Sequence, residues 1–170
     1  MYGQGNIFLP KSSDFLCPAC EDGLLQFRDY CRRLIRYEGG DKEWLHIPRC
    51  QCDKCGKIHR MLFDSLTPFK HYAQEVICDS LNGEIKPETS DYSPSEQSVH
   101  RWSHWLMANK LNIDGHLKSI GYRVLDFSEE LLKSNISLLE HLRSSAYYDW
   151  LKIIITTIYN SGAFLSPYYD

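Results

Sequence analysis

Two Cys-x-x-Cys pairs, Cys17-Pro18-Ala19-Cys20 and Cys52-Asp53-Lys54-Cys55, constrain this chain more than any other feature. Two intervening residues let one tight turn aim both sulfurs at a single tetrahedral ion. Gly56 follows the second pair, where closing the turn requires a left-handed residue. The 31 residues between the pairs read as a β-hairpin that returns the second turn to the first. That layout is the sequence form of a zinc ribbon, with Cys17, Cys20, Cys52 and Cys55 filling the coordination sphere of one Zn2+. Four thiolates leave no open position for water, so the metal is expected to hold the fold and do no chemistry.

The remaining cysteines bear on the same point. The count of seven is odd, and neither an apolar export signal nor a membrane-length apolar run is present. The thiols are therefore expected to be reduced, in a cytoplasmic protein without membrane association. Cys31, Cys50 and Cys78 read as buried apolar positions. Cys50 lies close enough to Cys52 to compete for the metal, and strand alternation is expected to aim the two at opposite faces. His59 is a conceivable substitute ligand, but reads better as a hydrogen-bonded surface residue.

The hairpin region consists of short strands at Gly23–Arg28, Cys31–Glu38 and Glu43–Arg49, with a turn at Gly39-Gly40-Asp41. Pro48 places the last of these at an edge or an end of the sheet. From Thr67 the apolar spacing becomes helical. Thr67-Pro68 suggests an N-cap and first helical residue, and Asn82-Gly83 a stop. Ser93-Pro94-Ser95-Glu96 has the form of a capping box that starts a helix at Pro94. Its apolar residues, from Val99 to Val124, fit one long helix or two collinear ones broken near Asn112–Gly115. A second capping box at Ser137–Glu140 precedes a final apolar stripe that includes Tyr147, Ile154 and Ile158 and ends near Gly162. The expected fold is α+β: a four-cysteine zinc-ribbon domain of short antiparallel strands at 1–66, then an all-helical, helix-turn-helix-like domain at 67–170.

A hydrophobic fraction of 43% and a charged fraction of 24% exclude wholesale disorder. The net charge of −3 is unlike that of a strongly basic nucleic-acid binder, whose affinity comes mainly from neutralising phosphates. The distribution is uneven, however, and residues 28–60 hold nine Lys/Arg against five acids. If Val99, Trp102 and Leu106 face the core, Gln97, His100, Arg101 and His104 form the opposite stripe of their helix. Arg pairs with guanine and Gln with adenine in a major groove, so this stripe is the expected contact with double-stranded DNA. A protein partner is the alternative, docking on the ribbon and on the tail aromatics Phe164, Tyr168 and Tyr169. No Ser-His-Asp order, phosphate loop or open metal site recommends an enzyme.

The run Cys52-Asp-Lys-Cys55-Gly56-Lys57-Ile58-His59-Arg60-Met61-Leu62, followed by Asp64, Pro68 and Tyr72, resembles a bacterial family of unknown function. That family is related to the N-terminal zinc-ribbon and helix-turn-helix region of insertion-sequence transposases. Pro94-Ser95-Glu96-Gln97-Ser98-Val99-His100-Arg101-Trp102 is similar to the family's second helix. The resemblance spans roughly residues 17–106. It implies zinc on the four cysteines, DNA contact by the helix after Pro94, and a mobile-element or phage origin. A transposase's catalytic domain, three carboxylates holding two metal ions on an α/β core, has no counterpart in the helical remainder.

Overall fold

The computed structural model describes residues 4–8, 16–85, 93–145 and 149–167. Strands β1 (Gln4–Phe8), β2 (Leu25–Arg36), β3 (Lys42–Cys52) and β4 (Ile58–Leu62) form one sheet in the order β1-β4-β3-β2. The β2-β3-β4 part is antiparallel, and β1 joins the far edge parallel to β4. Among the described residues six helices follow: α1 (Gln74–Asn82), α2 (Glu96–Ala108), α3 (Lys110–Val124), α4 (Glu129–Lys133), α5 (Leu138–Ser144) and α6 (Trp150–Asn160). The α+β class is as expected. The parallel edge strand β1 and the short helix α4, capped by Ser128, were not anticipated.

The two strands expected before the turn are one. β2 runs through both, and a register shift between Phe27 and Asp29 accommodates Arg28 as a bulge. The turn at 37–41 closes as expected, with Tyr37 N–H donating to Asp41 O and Gly40 at φ 83°. Pro48 sits inside β3, a strand flanked on both sides. β4 pairs only with Arg49–Gln51, so the missing N–H falls just beyond that ladder. The constraint on proline therefore holds locally, although the strand itself is central.

β3 buries Ile47 on one face and Cys50 and Cys52 on the other, since odd and even positions alternate. Two apolar clusters result. Leu25, Cys50 and Met61 pack with Cys17 and Cys52 at the cysteine end. The main core joins Ile35, Ile47 and Leu62 of the sheet to Val76, Trp105, Leu117, Leu142, Trp150 and Ile154 of the helices.

The helix starts differ from expectation in two places. Thr67-Pro68 opens a loop rather than a helix, and α1 begins six residues after Pro68, at Gln74, behind Ala73. Arg33 donates to Thr67 O and Lys70 O, Phe69 is left-handed at φ 62°, and Ala73 N–H donates to Arg36 O. These tertiary bonds hold 67–73 against β2, where the local cap signal would have wound it. α2 begins at Glu96, not Pro94, because Ser95 is the residue whose hydroxyl accepts from Ser98 N–H, at 3.3 Å.

Asn109 alone separates α2 from α3, so the break falls there rather than near Asn112–Gly115. The Asn109 side chain is buried and fully engaged, donating to Trp105 O and Ser166 O and accepting from Ser166 N–H. It thereby ties the C-terminal segment to the helix junction. Ser137 caps α5 as predicted, accepting from Glu140 N–H, and α6 is a separate helix. Tyr147, assigned to the last stripe, lies outside the described residues, as do most of the 84–92 loop and Tyr168 and Tyr169 of the tail. Gly162 ends α6 at φ 80°, and a Cβ there would stand 2.2 Å from Pro18 O. The end of α6 thus abuts the first cysteine turn.

Candidate metal centre

The cysteine turns are built alike. In the first, Glu21 N–H donates to Cys17 O (2.8 Å), and in the second Gly56 N–H donates to Cys52 O (3.1 Å). The residue after each pair is left-handed, Glu21 at φ 57° and Gly56 at φ 71°. Leu24 and Asp53 lace the turns together: Asp53 N–H donates to Leu24 O, and Leu24 N–H to Asp53 Oδ1 (2.9 Å). The Lys54–Asp22 ion pair adds an exposed link.

All four predicted sulfurs converge, lying within 4.8 Å of one another. Cys17–Cys55 and Cys20–Cys52 each measure 3.7 Å between sulfurs. A tetrahedral ion with metal–sulfur bonds of about 2.3 Å would separate its ligands by about 3.8 Å. A disulfide would need about 2.05 Å, and all seven cysteines are free. This donor set can hold a soft or borderline divalent cation, and tetrahedral sulfur is characteristic of zinc or an iron–sulfur centre. Cys17 and Cys52 are buried, Cys20 is half-buried and Cys55 exposed.

The protonation of the sulfurs is uneven. Burial pushes the Cys17 thiol up to about 12. Backbone hydrogen bonds from Asp22 and Gly23 lead the effects that pull Cys20 down to about 6. Cys52 accepts from Cys55 N–H at 3.4 Å. A cation bound at the centre would favour the thiolate form of all four, Cys17 included.

Strand alternation returns every second residue to the same face, so Cys50 and Cys52 both point inward, contrary to the expectation for Cys50. Cys50 is nevertheless not one of the clustered donors, because it stands one further residue pair along β3. Cys78 is buried in the main core and Cys31 half-buried against it, in keeping with an apolar role.

His59 is corrected from surface to interior. It is 3% exposed, paired with Cys50 across β3-β4, and its Nε2 lies 3.4 Å from Cys17 Sγ. It sits behind Cys17 rather than among the four clustered donors. The period of β4, with His59 and Met61 both buried, was the signal available in the sequence.

Gly23 is the other residue that sequence reasoning missed. A Cβ there would meet Cys52 Sγ at 2.3 Å and Asp53 Oδ1 at 2.8 Å. Gly23→Ala is therefore expected to weaken metal binding about 10- to 100-fold, as loss of a supporting contact does at metal sites. Competition with a chromophoric chelator measures this, and unchanged affinity would show that the turns have room to shift.

Gln97, His100, Arg101 and His104 are all exposed along α2, and Trp102 and Leu106 are buried behind them. Gln97, His100 and Arg101 line a shallow depression with Glu96. Arg101 Nε donates to Gln97 O, and the two histidine rings are 6.3 Å apart. Among the described residues, no helix is long and apolar enough to cross a membrane.

The sheet, the helices and the cysteine cluster define a small α+β protein with a four-cysteine site able to bind a metal ion. Residues 17–102 match the model of a family described as Domain of unknown function (DUF6431), and the chain belongs to that family. The match begins at the first cysteine of the cluster and ends midway along α2, before His104. No curated protein and no solved structure matches the chain.

Proposed function

We propose that the chain is a DNA-binding accessory or regulatory protein, of mobile-element or phage origin, without a transposase's catalytic domain. In this reading residues 1–66 are a zinc ribbon that serves as scaffold, and 67–170 a helical unit in which α2 reads double-stranded DNA. The observation that carries it is the outward row of Gln97, His100, Arg101 and His104, donor-rich side chains on a helix anchored by Trp102 and Trp105. The hairpin packs on the buried side of the same helix, where Arg36 stacks over Tyr72, whose ring meets Trp102 edge-on at 5.1 Å, and so holds the row outward.

The test is anisotropy titration of genomic duplex fragments at two salt concentrations. Binding is expected to weaken with salt. Arg101→Ala is expected to cost about 1–3 kcal/mol of affinity if Arg101 reads a base, and to lower the salt slope by about one if it meets a phosphate. No duplex binding at low salt would sink the reading.

A zinc-ribbon module for protein–protein interaction is the second reading. Phe164 favours it, standing 68% exposed on the tail beside α3.

A further inference from the structure

The β2–β3 hairpin has two unlike faces. After the bulge, cross-strand pairing sets Asp29 opposite Arg49, Cys31 opposite Ile47 and Ile35 opposite Glu43 in the row that meets the main core. The other row holds Tyr30 with Pro48, Arg32 with His46, Leu34 with Trp44, and Arg36 with Lys42. Paired residues share a face, so these eight form one surface.

That surface is aromatic and cationic, and it contains no carboxylate. Tyr30 is 59% exposed and Trp44 55%, values unusual for rings that a folded chain would ordinarily bury. Phe27, also 59% exposed, extends the row at the bulge with its ring 4.9 Å from that of Tyr30. Arg32 lies over the Trp44 indole at 4.6 Å, which fixes both groups in place. The hairpin's acids fall elsewhere. Asp29 is bound by Arg49, Glu43 accepts from Tyr37, and Glu38 and Asp41 belong to the turn.

Charge and ring chemistry together narrow the partner. A carboxylate-free row of Arg32, Lys42 and His46 suits a polyanion. Exposed rings spread from Phe27, opposite Cys50, to Trp44 along about 20 Å of strand suit flat, apolar partners. A duplex offers the charge but hides the base faces in its stack, whereas an unpaired strand offers both. We propose that this face is a platform for single-stranded DNA, with bases stacking on Phe27, Tyr30 and Trp44 and phosphates held by Arg32, Lys42 and His46. It is separate from the α2 row and does not depend on duplex binding there.

The test uses the full chain with its metal and a labelled oligothymidylate of about 12 nucleotides, within the span of single-strand sites. Binding is expected to quench tryptophan fluorescence and to weaken with salt. Trp44→Ala is expected to lower affinity roughly tenfold or more. Arg32→Ser, which removes a charge and no ring, is expected to lower it severalfold. Metal content and circular dichroism of both variants should match the parent, and duplex binding through Arg101 should be unaffected. Parental affinity in both variants would overturn the proposal, as would absence of oligothymidylate binding at low salt. Tighter binding of the matching oligouridylate, or of an acidic peptide, would overturn it in favour of RNA or a protein partner.

Discussion

Stripping the metal from the full chain is expected to melt the two cysteine turns and the strand ends around Leu25, Cys50 and Met61 while leaving much of the helical signal, because a four-thiolate site is absent from an unfolded chain. Its binding free energy is also folding energy, on the order of 10 kcal/mol for structural zinc. The cysteine end has little else: its buried cluster besides Cys17, Cys50 and Cys52 is Leu25 and Met61. The helices keep the larger core, which they share with Ile35, Ile47 and Leu62 of the sheet, so the middle of the hairpin stays packed with them. About one zinc per chain is expected by elemental analysis. Cys17→Ser or Cys55→Ser should lose it, and Cys31→Ser or Cys78→Ser should retain it. Purified protein with all seven thiols reactive and no metal would show the centre to be misread.

Trp150→Ala should produce the largest loss of stability among changes away from the cysteines. Trp150 opens α6 and is 1% exposed, with the indole N–H donating to Asn82 Oδ1 at 3.0 Å and Arg143 stacked at 5.1 Å. It therefore joins α6 to the end of α1 and to α5. Truncating a buried tryptophan costs about 3–5 kcal/mol, a large part of the 5–15 kcal/mol that holds a typical domain. Urea titration followed by helical ellipticity measures the loss, and metal content should change little. A cost under about 1 kcal/mol would mean that α6 is held elsewhere.

The cysteine centre was legible because its determinant is local: each Cys-x-x-Cys turn aims its own sulfurs, and only one return of the chain is needed to bring the turns together. α1 and α2 were legible as helices for the same reason, through apolar residues at helical spacing. Their starts were less legible. Thr67-Pro68 and Ser93-Pro94 both carry good local start signals, but Arg33 claims the carbonyls of one and Ser95 takes the cap of the other.

The four clustered cysteines, the α+β order and the outward stripe of α2 were readable from spacing within a few residues. Only the tertiary structure decided what depends on which strand lies beside which. The bulge at Arg28 merged two expected strands, and β4 beside β3 carried His59 inward to Cys17. The fold also brought Gly162 against Pro18 and left Tyr30, Trp44 and Phe27 uncovered. In the sequence those rings look like core residues, since a strand's period tells which side chains share a face. Whether anything packs on that face is decided by elements distant in the chain.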